Sequence, residues 1–521
     1  MGTDLHSSPS DQRPEIRTDE IVSGIETEFG IIRKDRAESD PVRESMDLVK
    51  AYRPPSFGAW AYEAEDPRAD ARGFRVDRLA QDEEEEAFSR SDRQRNFSFR
   101  ESKSDRILQN GARFYNDHTH PEYSTPECQS IRDLVLYDRA GTRIVQSAKE
   151  SREREIGGSG SLGIYRNNTD FHGHSYGCHE NYLLPRSIPF DRIVEGLTPF
   201  LVSRTLFLGA GKVGQEGEDG MRTGGFQLSQ RADFMEERIG VDTMHRRPIV
   251  NSRDEPHAAK GRFRRLHLIC GDANMCEWQT AMKIGMTRLV LSSIVNGTYA
   301  RKSLFADPVR AFRQISRSED GRGNLLLEDG RLMTADEMLE EYRSLVDDQA
   351  SNEEDRWILS EWDKALRDYR KDPLLLSDRV DWVAKKNLLR WFSEEEGIPP
   401  GDPCFQSLDL AYHDLDEELG MFWPLEMDGS MVRLTDPEDV DAATVHPPEL
   451  GRPPIRAAVL DRFRDQIQDA GWERVAFVDG TSVDLPLFSS LRAEEVRDLC
   501  SRIGKLEGPS DLLSALSEWI E

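Results

Sequence analysis

The chain has 521 residues, with 69 Lys and Arg against 97 Asp and Glu, a net charge of −28. Such a surplus repels a phosphate backbone over most of the surface, so no nucleic-acid partner is expected. No stretch approaches the roughly 18 apolar residues of a membrane helix, so no membrane span is expected either. A length beyond one compact core implies a large domain with insertions and at least one smaller companion.

The opening MGTDLHSSPSDQRPEIRTDE lacks the apolar core of a secretory signal. It reads as a disordered extension over residues 1–19, and a cytoplasmic protein is expected. A strand follows over Ile21–Ile32, and the next strong strand signal is Gly111–Asp117. The interval reads as an insertion over about residues 46–103. It holds PPSFG, the acidic run Asp82–Glu86 and SRSDRQRNFSFRESKSD, all poor in apolar periodicity, and a loop of that length is functional or disordered. From Tyr137 to Asn296 strands and helices mix: LGIYRNN and RRLHLIC read as strands, and Glu277–Ile294 has helical spacing stopped by Asn296 and Gly297. Beyond Thr334 the periodicity is helical, in MLEEYRSLVDD, RWILSEWDKALRDY and VDWVAKKNLLRWF. From Glu449 the chain reads as a small separate domain, its VAFVDG strand flanked by helical segments around Asp461–Gln468 and Ala493–Ile503. This is an α+β pattern, with a large domain over 20–448 and a small one over 449–521. The six cysteines are scattered without a CxxC pair, which predicts reduced thiols and no structural zinc.

Four clusters carry chemistry. In GIETEFG, Glu26 and Glu28 project from one strand face about 7 Å apart, and they read either as an exposed strand face or as a magnesium site. In NGARFYNDHTHPEYST, alternation places Arg113, Tyr115 and Asp117 on one face, with His118, His120 and Glu122 crowded at its end. A carboxylate there can activate water, attack a carbonyl or hold a metal; a polar strand end with satisfied hydrogen bonds is the bland alternative. NNTDFHGHSYGCHENY carries His172, His174 and His179 with Glu180, spaced for one imidazole at a hard-metal site rather than for zinc, and His179 is the choice. NSRDEPHAAKGRFRRLHLICGDANM gathers Arg253, Arg262, Arg264, Arg265, His257 and His267, suited to phosphate or carboxylate, or to surface ion pairing. GAGKVG at Gly209–Gly214 looks like a phosphate loop but departs from the GxxxxGK[ST] pattern, and it reads as a turn rather than as a phosphate loop.

Together GIETEFG, NGARFYNDHTHPEYS, NNTDFHGHSYGCHENY, GLTPFLVSR, FQLSQRADF, NSRDEPHA and RRLHLICGDANM resemble, in order and over nearly the whole chain, the Pup ligase and Pup deamidase/depupylase family of glutamine-synthetase-like carboxylate-amine ligases. WAYEAEDPRADARGF looks like the loop insertion of the deamidase branch and DHTHPEYS is closer to that branch, whereas GIETEFG is closer to the ligase wording. The resemblance implies a curved antiparallel sheet cradle backed by helices, with a small C-terminal domain. It implies magnesium ligands at Glu26, Tyr115 and Glu122, with Glu28, His179 and His257 as additions. It further implies ATP contacts at Arg113 and Thr125, a match to the family's nucleotide-contacting tryptophan at Trp472, and a catalytic carboxylate at Asp117. The implied activity is hydrolysis of the isopeptide bond between the C-terminal glutamate of Pup and a substrate lysine, or of a terminal glutamine side chain, with ATP and Mg2+ as cofactors. A Pup-protein ligase and a catalytically silent Pup-binding protein are the alternatives.

Overall fold

The computed structural model describes residues 16–517, apart from 37–38, 63–64, 80–96, 159, 217–221, 300–302, 400 and 488. Most of the expected N-terminal extension and the acidic run of the insertion lie outside the described residues. Ile16 and Thr18 are buried, and the Ile16 backbone N–H donates to Asn296 Oδ1 at 2.7 Å. Among the described residues no helix is long and apolar enough to cross a membrane.

The expected α+β layout is observed. Nine strands form one sheet: β1 (Ser23–Glu28), β2 (Ser56–Phe57), β3 (Arg106–Leu108), β4 (Arg113–Asp117), β5 (His120–Ser124), β6 (Cys178–Pro185), β7 (Met235–Gly240), β8 (Arg247–Asn251) and β9 (Phe263–Leu268). Their spatial order is β7-β8-β9-β6-β1-β5-β4-β3-β2. Every pair is antiparallel except β7 with β8. Alternation gives the central strands two unlike faces. Ile25, Thr27, Phe114, Tyr123 and Tyr182 are buried on the helix-covered side, while Glu26, Glu28, Tyr115 and Asp117 remain partly accessible on the other.

Helices α1 (Pro41–Ala51), α2 (Phe99–Lys103), α3 (Ile131–Ile156) and α4 (Glu277–Asn296) matter most to the site. α1 and α3 pack behind β1, β4 and β5, and α4 packs behind α3. α4 is buried on almost every side, so its polar groups are tied internally: Arg288 donates to Ser23 Oγ at 2.9 Å and to the Cys128 carbonyl at 2.9 Å. It ends at Gly297, whose φ of 76° supplies the left-handed cap.

Three expectations are corrected. The run Ile21–Ile32 is two strands, broken at Phe29; Gly30–Arg33 leaves the large sheet to pair with Leu162–Tyr165. Gly30 permits this because a Cβ there would lie 2.5 Å from the Tyr176 hydroxyl. The chain stays helical to Ala51, past the expected insertion limit near residue 46, because Met46, Leu48 and Val49 are buried. The late helix lies at Arg452–Phe463 rather than Asp461–Gln468. Pro453 and Pro454 start it well, their fixed φ and missing N–H being harmless in a first turn, and the chain then turns into the strand Ile467–Ala470.

A second hydrophobic core gathers Ile455, Val459, Phe463, Val475, Phe477, Val483, Val496, Leu499 and Leu512. Trp60 and Ile107 belong to it as well. The insertion's Trp60 bridges to Ala470, and the Ala61 N–H donates to the Ala470 carbonyl at 3.0 Å.

Candidate active site

Register assembles what the sequence disperses. Glu26 stands between Ser124 of β5 and His179 of β6, Glu28 faces Glu122, and Tyr115 also faces Glu122. The accessible face of five adjacent strands is therefore lined by carboxylates, imidazoles and guanidinium groups around a cavity of about 770 Å³.

Two groups could hold a cation. Glu28, Asp117 and Glu122 each offer an oxygen, all within 4.8 Å of one another; Glu26, His179 and His267 do the same. His179 Nδ1 is 3.4 Å from Glu26 Oε2, and His267 Nε2 is 4.0 Å from it. Gly177 shapes this corner, since a Cβ there would fall 2.1 Å from His179 Nε2.

The electrostatics fit a divalent cation. Burial, then repulsion from Asp117, Glu26 and Glu28, pushes the Glu122 carboxyl well above its ordinary range, and its buried Oε1 has no hydrogen-bond partner. Burial and the nearby Arg265 keep the His267 imidazole neutral, the ligating form, with both ring nitrogens unpartnered. Burial raises the Glu26 and Glu28 carboxyls, but His179 with Arg265 lowers the first, and His120 the second, below the ordinary value. Carboxylates beside a neutral imidazole at His267 form a donor set suited to a divalent cation, with the Arg265 guanidinium 3.7 Å from Glu26 Oε1 at its edge.

Asp117 differs. Burial favours its neutral form, but Lys103 and His118 outweigh that and hold it well below the usual carboxylate range. Lys103 Nζ pairs with its Oδ1, and His118 Nδ1 lies 3.2 Å from its Oδ2. Tyr115 is pushed well above its ordinary range by burial and by Glu122. Arg113, on the same strand, bonds Asp105 at 2.6 Å and Tyr62 Oη at 2.8 Å, its guanidinium stacked 3.7 Å from the Tyr115 ring centre and 4.0 Å from that of Trp60.

Thr125 and Trp472 line an adjoining, mostly apolar pocket with Gly24, Ile25, Tyr182 and Leu183. Thr125 Oγ1 accepts the Ile25 N–H at 3.0 Å. His257 borders both pockets without joining either ligand group, and burial with Arg265 and Arg452 holds it well below its ordinary value. His172 and His174 sit in an exposed loop, where His174 pairs with Asp170 at 2.7 Å. The weaker phosphate-loop reading of Gly209–Gly214 fails: Lys212 is buried and pairs with Glu216 at 2.8 Å. His267 in a ligand group, and Lys103 on Asp117, were not anticipated. The former was legible in its strand, where alternation puts His267 on the face of Arg265.

The profile of the family described as Pup-ligase protein matches residues 21–476. The chain belongs to that family. Within the family, it is 40% identical over 516 residues to the "Depupylase" of Acidothermus cellulolyticus, covering 95% of this chain and 99% of that relative. It is 37% identical over 491 residues to the "Pup deamidase/depupylase" of Mycolicibacterium smegmatis, covering 91% and 95%. The "Pup--protein ligase" of Kineococcus radiotolerans is 40% identical over 373 residues, which is 70% of this chain and 82% of that one. The crystal structure of the complex between Pup and its ligase PafA matches with a TM-score of 0.75 at 28% identity, covering 96% of this chain and 95% of that one. The structure of the ligase PafA in complex with ADP matches with a TM-score of 0.69 at 30% identity, covering 83% and 96%.

Proposed function

We propose that this member of the Pup-ligase family is a depupylase and Pup deamidase, a hydrolase that cleaves the isopeptide bond between the C-terminal glutamate of Pup and a substrate lysine. One observation carries the choice over a ligase. Relatives named depupylase or deamidase align in sequence over 91–95% of the chain at 37–40% identity, against 70% for the ligase-named ones; the ligase PafA superposes on 96% of the chain, but at 28% identity. The insertion adds Tyr62, Glu65, Phe99 and Lys103 to the cavity wall, which gives the extra segment a place in the chemistry.

In this reading Asp117 is the catalytic carboxylate. As a base it takes a proton from the attacking water, the C–N bond breaks, and the water oxygen ends in the glutamate carboxyl; as a nucleophile it displaces the amine to give an acyl anhydride that water then hydrolyses, restoring Asp117, and in both routes the lysine amine leaves protonated. Glu26, Glu28, Glu122, His179 and His267 would hold magnesium, and the pocket of Thr125 and Trp472 would take the base and ribose of ATP, with Arg265 at its border. Magnesium held there would supply electrostatic stabilisation for the negative charge developing on the carbonyl oxygen. Tyr115 and Arg113 set the wall beside Glu122. The domain division at about residue 449 is proposed on the second hydrophobic core. A cytoplasmic location is proposed too, matching a chain with its cysteines unpaired.

The test is incubation of the purified protein with ATP, Mg2+ and a Pup-conjugated protein, following free substrate and ADP. Release far in excess of ADP supports the proposal. Conjugate formation in step with ADP would reassign the chain as a ligase, and tight Pup binding without turnover as a silent binder.

A further inference from the structure

Three carboxylates, Glu28, Asp117 and Glu122, crowd one corner of the cavity within 4.8 Å. All three are chemically able to ligate a cation, yet a carboxylate whose lone pairs are committed to a metal is a poor nucleophile and a poor base. Something must set one of the three apart, and the structure contains one ammonium that does so. Lys103 ends α2, which closes the insertion and is fixed to the catalytic strand by Asn116 Nδ2 donating to the Ser102 carbonyl at 2.8 Å. Its side chain is only 16% exposed and reaches Asp117 Oδ1, between the rings of Phe99 and Tyr115, whose centres are 6.0 and 5.7 Å from Nζ. His118 Nδ1 faces the other oxygen at 3.2 Å. Glu122 has no such partner on Oε1.

We propose that Lys103 is a positioning residue that keeps Asp117 out of the metal's coordination sphere, reserving it for the amide and leaving Glu28 and Glu122 to the cation. The proposal rests on the hydrolase reading above for its consequence in turnover, but its geometric core is independent of it. Mn2+ binding to the full-length, nucleotide-free protein, followed by electron paramagnetic resonance, tests that core directly. In Lys103→Met, Mn2+ affinity rises by about tenfold or more as Asp117 becomes a ligand. In Lys103→Met/Asp117→Asn the affinity falls back to that of Asp117→Asn alone, and Lys103→Arg behaves as wild type. With a Pup-conjugated substrate, Lys103→Met lowers kcat while leaving KM unchanged, and Lys103→Arg restores part of the rate. Unchanged Mn2+ affinity in Lys103→Met, or the same tightening with and without Asp117, overturns the proposal. An inactive wild type with the expected Mn2+ pattern would instead overturn only the hydrolase reading.

Discussion

Glu127→Gln is expected to lower stability by about 3 kcal/mol at pH 7, and the figure can be worked from the geometry around it. Glu127 follows the active-site strands and receives two buried guanidinium groups. Arg452 Nη2 lies 2.7 Å from Oε1, and Arg456 Nη1 and Nη2 donate at 3.0 and 2.7 Å. Burial pushes its carboxyl up, but Arg456 and Arg452 more than reverse this and bring it from 4.5 to about 2. At about 1.4 kcal/mol for each factor of ten in acidity, that drop is about 3 kcal/mol of stability for the ionised form. Because the folded value is depressed, the contribution is complete above pH 4.5 and is lost as the pH falls toward 2. Urea denaturation of wild type and Glu127→Gln, compared between pH 7 and pH 3, should therefore show a gap that narrows with acidification. Arg456 also holds the carbonyls of Gly111 and Trp472, at 2.7 and 3.0 Å. The variant should accordingly bind nucleotide more weakly, through a loosened Trp472. Equal stability at pH 7, or a gap that does not shrink on acidification, refutes the reasoning.

Asp117→Asn should reduce release from a Pup conjugate by at least about a thousandfold while leaving ATP binding within about twofold, read by single-turnover assay and calorimetry; retained activity would remove Asp117 from the mechanism. Trp60→Ala should cost about 3–5 kcal/mol in chemical denaturation, since the ring is 2% exposed, meets Trp472 edge-to-face at 5.2 Å and donates to Glu65 at 2.9 Å. A neutral substitution would show that the insertion does not anchor the second core. Gly177→Ala should weaken Mn2+ binding by displacing the His179 ring, with a stability loss of about 1–3 kcal/mol; wild-type affinity would exclude His179 as a ligand.

Strand alternation alone grouped Arg113, Tyr115 and Asp117 on one face of their strand and Glu26 with Glu28 on one face of theirs, and the folded chain brings both groups onto the same face of the sheet. Which carboxylate faces which was not legible, because register depends on pairings such as Glu28 with Glu122 across 94 residues of sequence. The motif resemblance singled out Trp472, but not its partner. Trp60 lies in a stretch without apolar periodicity, and a single large anchor leaves no period to read; its burial comes from distant partners, Ala470, Trp472 and Arg113 among them. Lys103 was equally hidden: on a short polar helix it looks like a solvated charge, and only the bond from Asn116 to Ser102 turns it toward Asp117.

Trp60 carries an engineering consequence. The insertion and the C-terminal segment share one core, so neither is a self-contained cassette. A chimaera that takes the insertion from a relative while keeping the native C-terminal segment would pair a foreign anchor with Val475, Phe477 and Trp472, and would misalign Arg113, on which Trp60 is stacked. The two segments should be exchanged together, and they should drift together as the family diversifies.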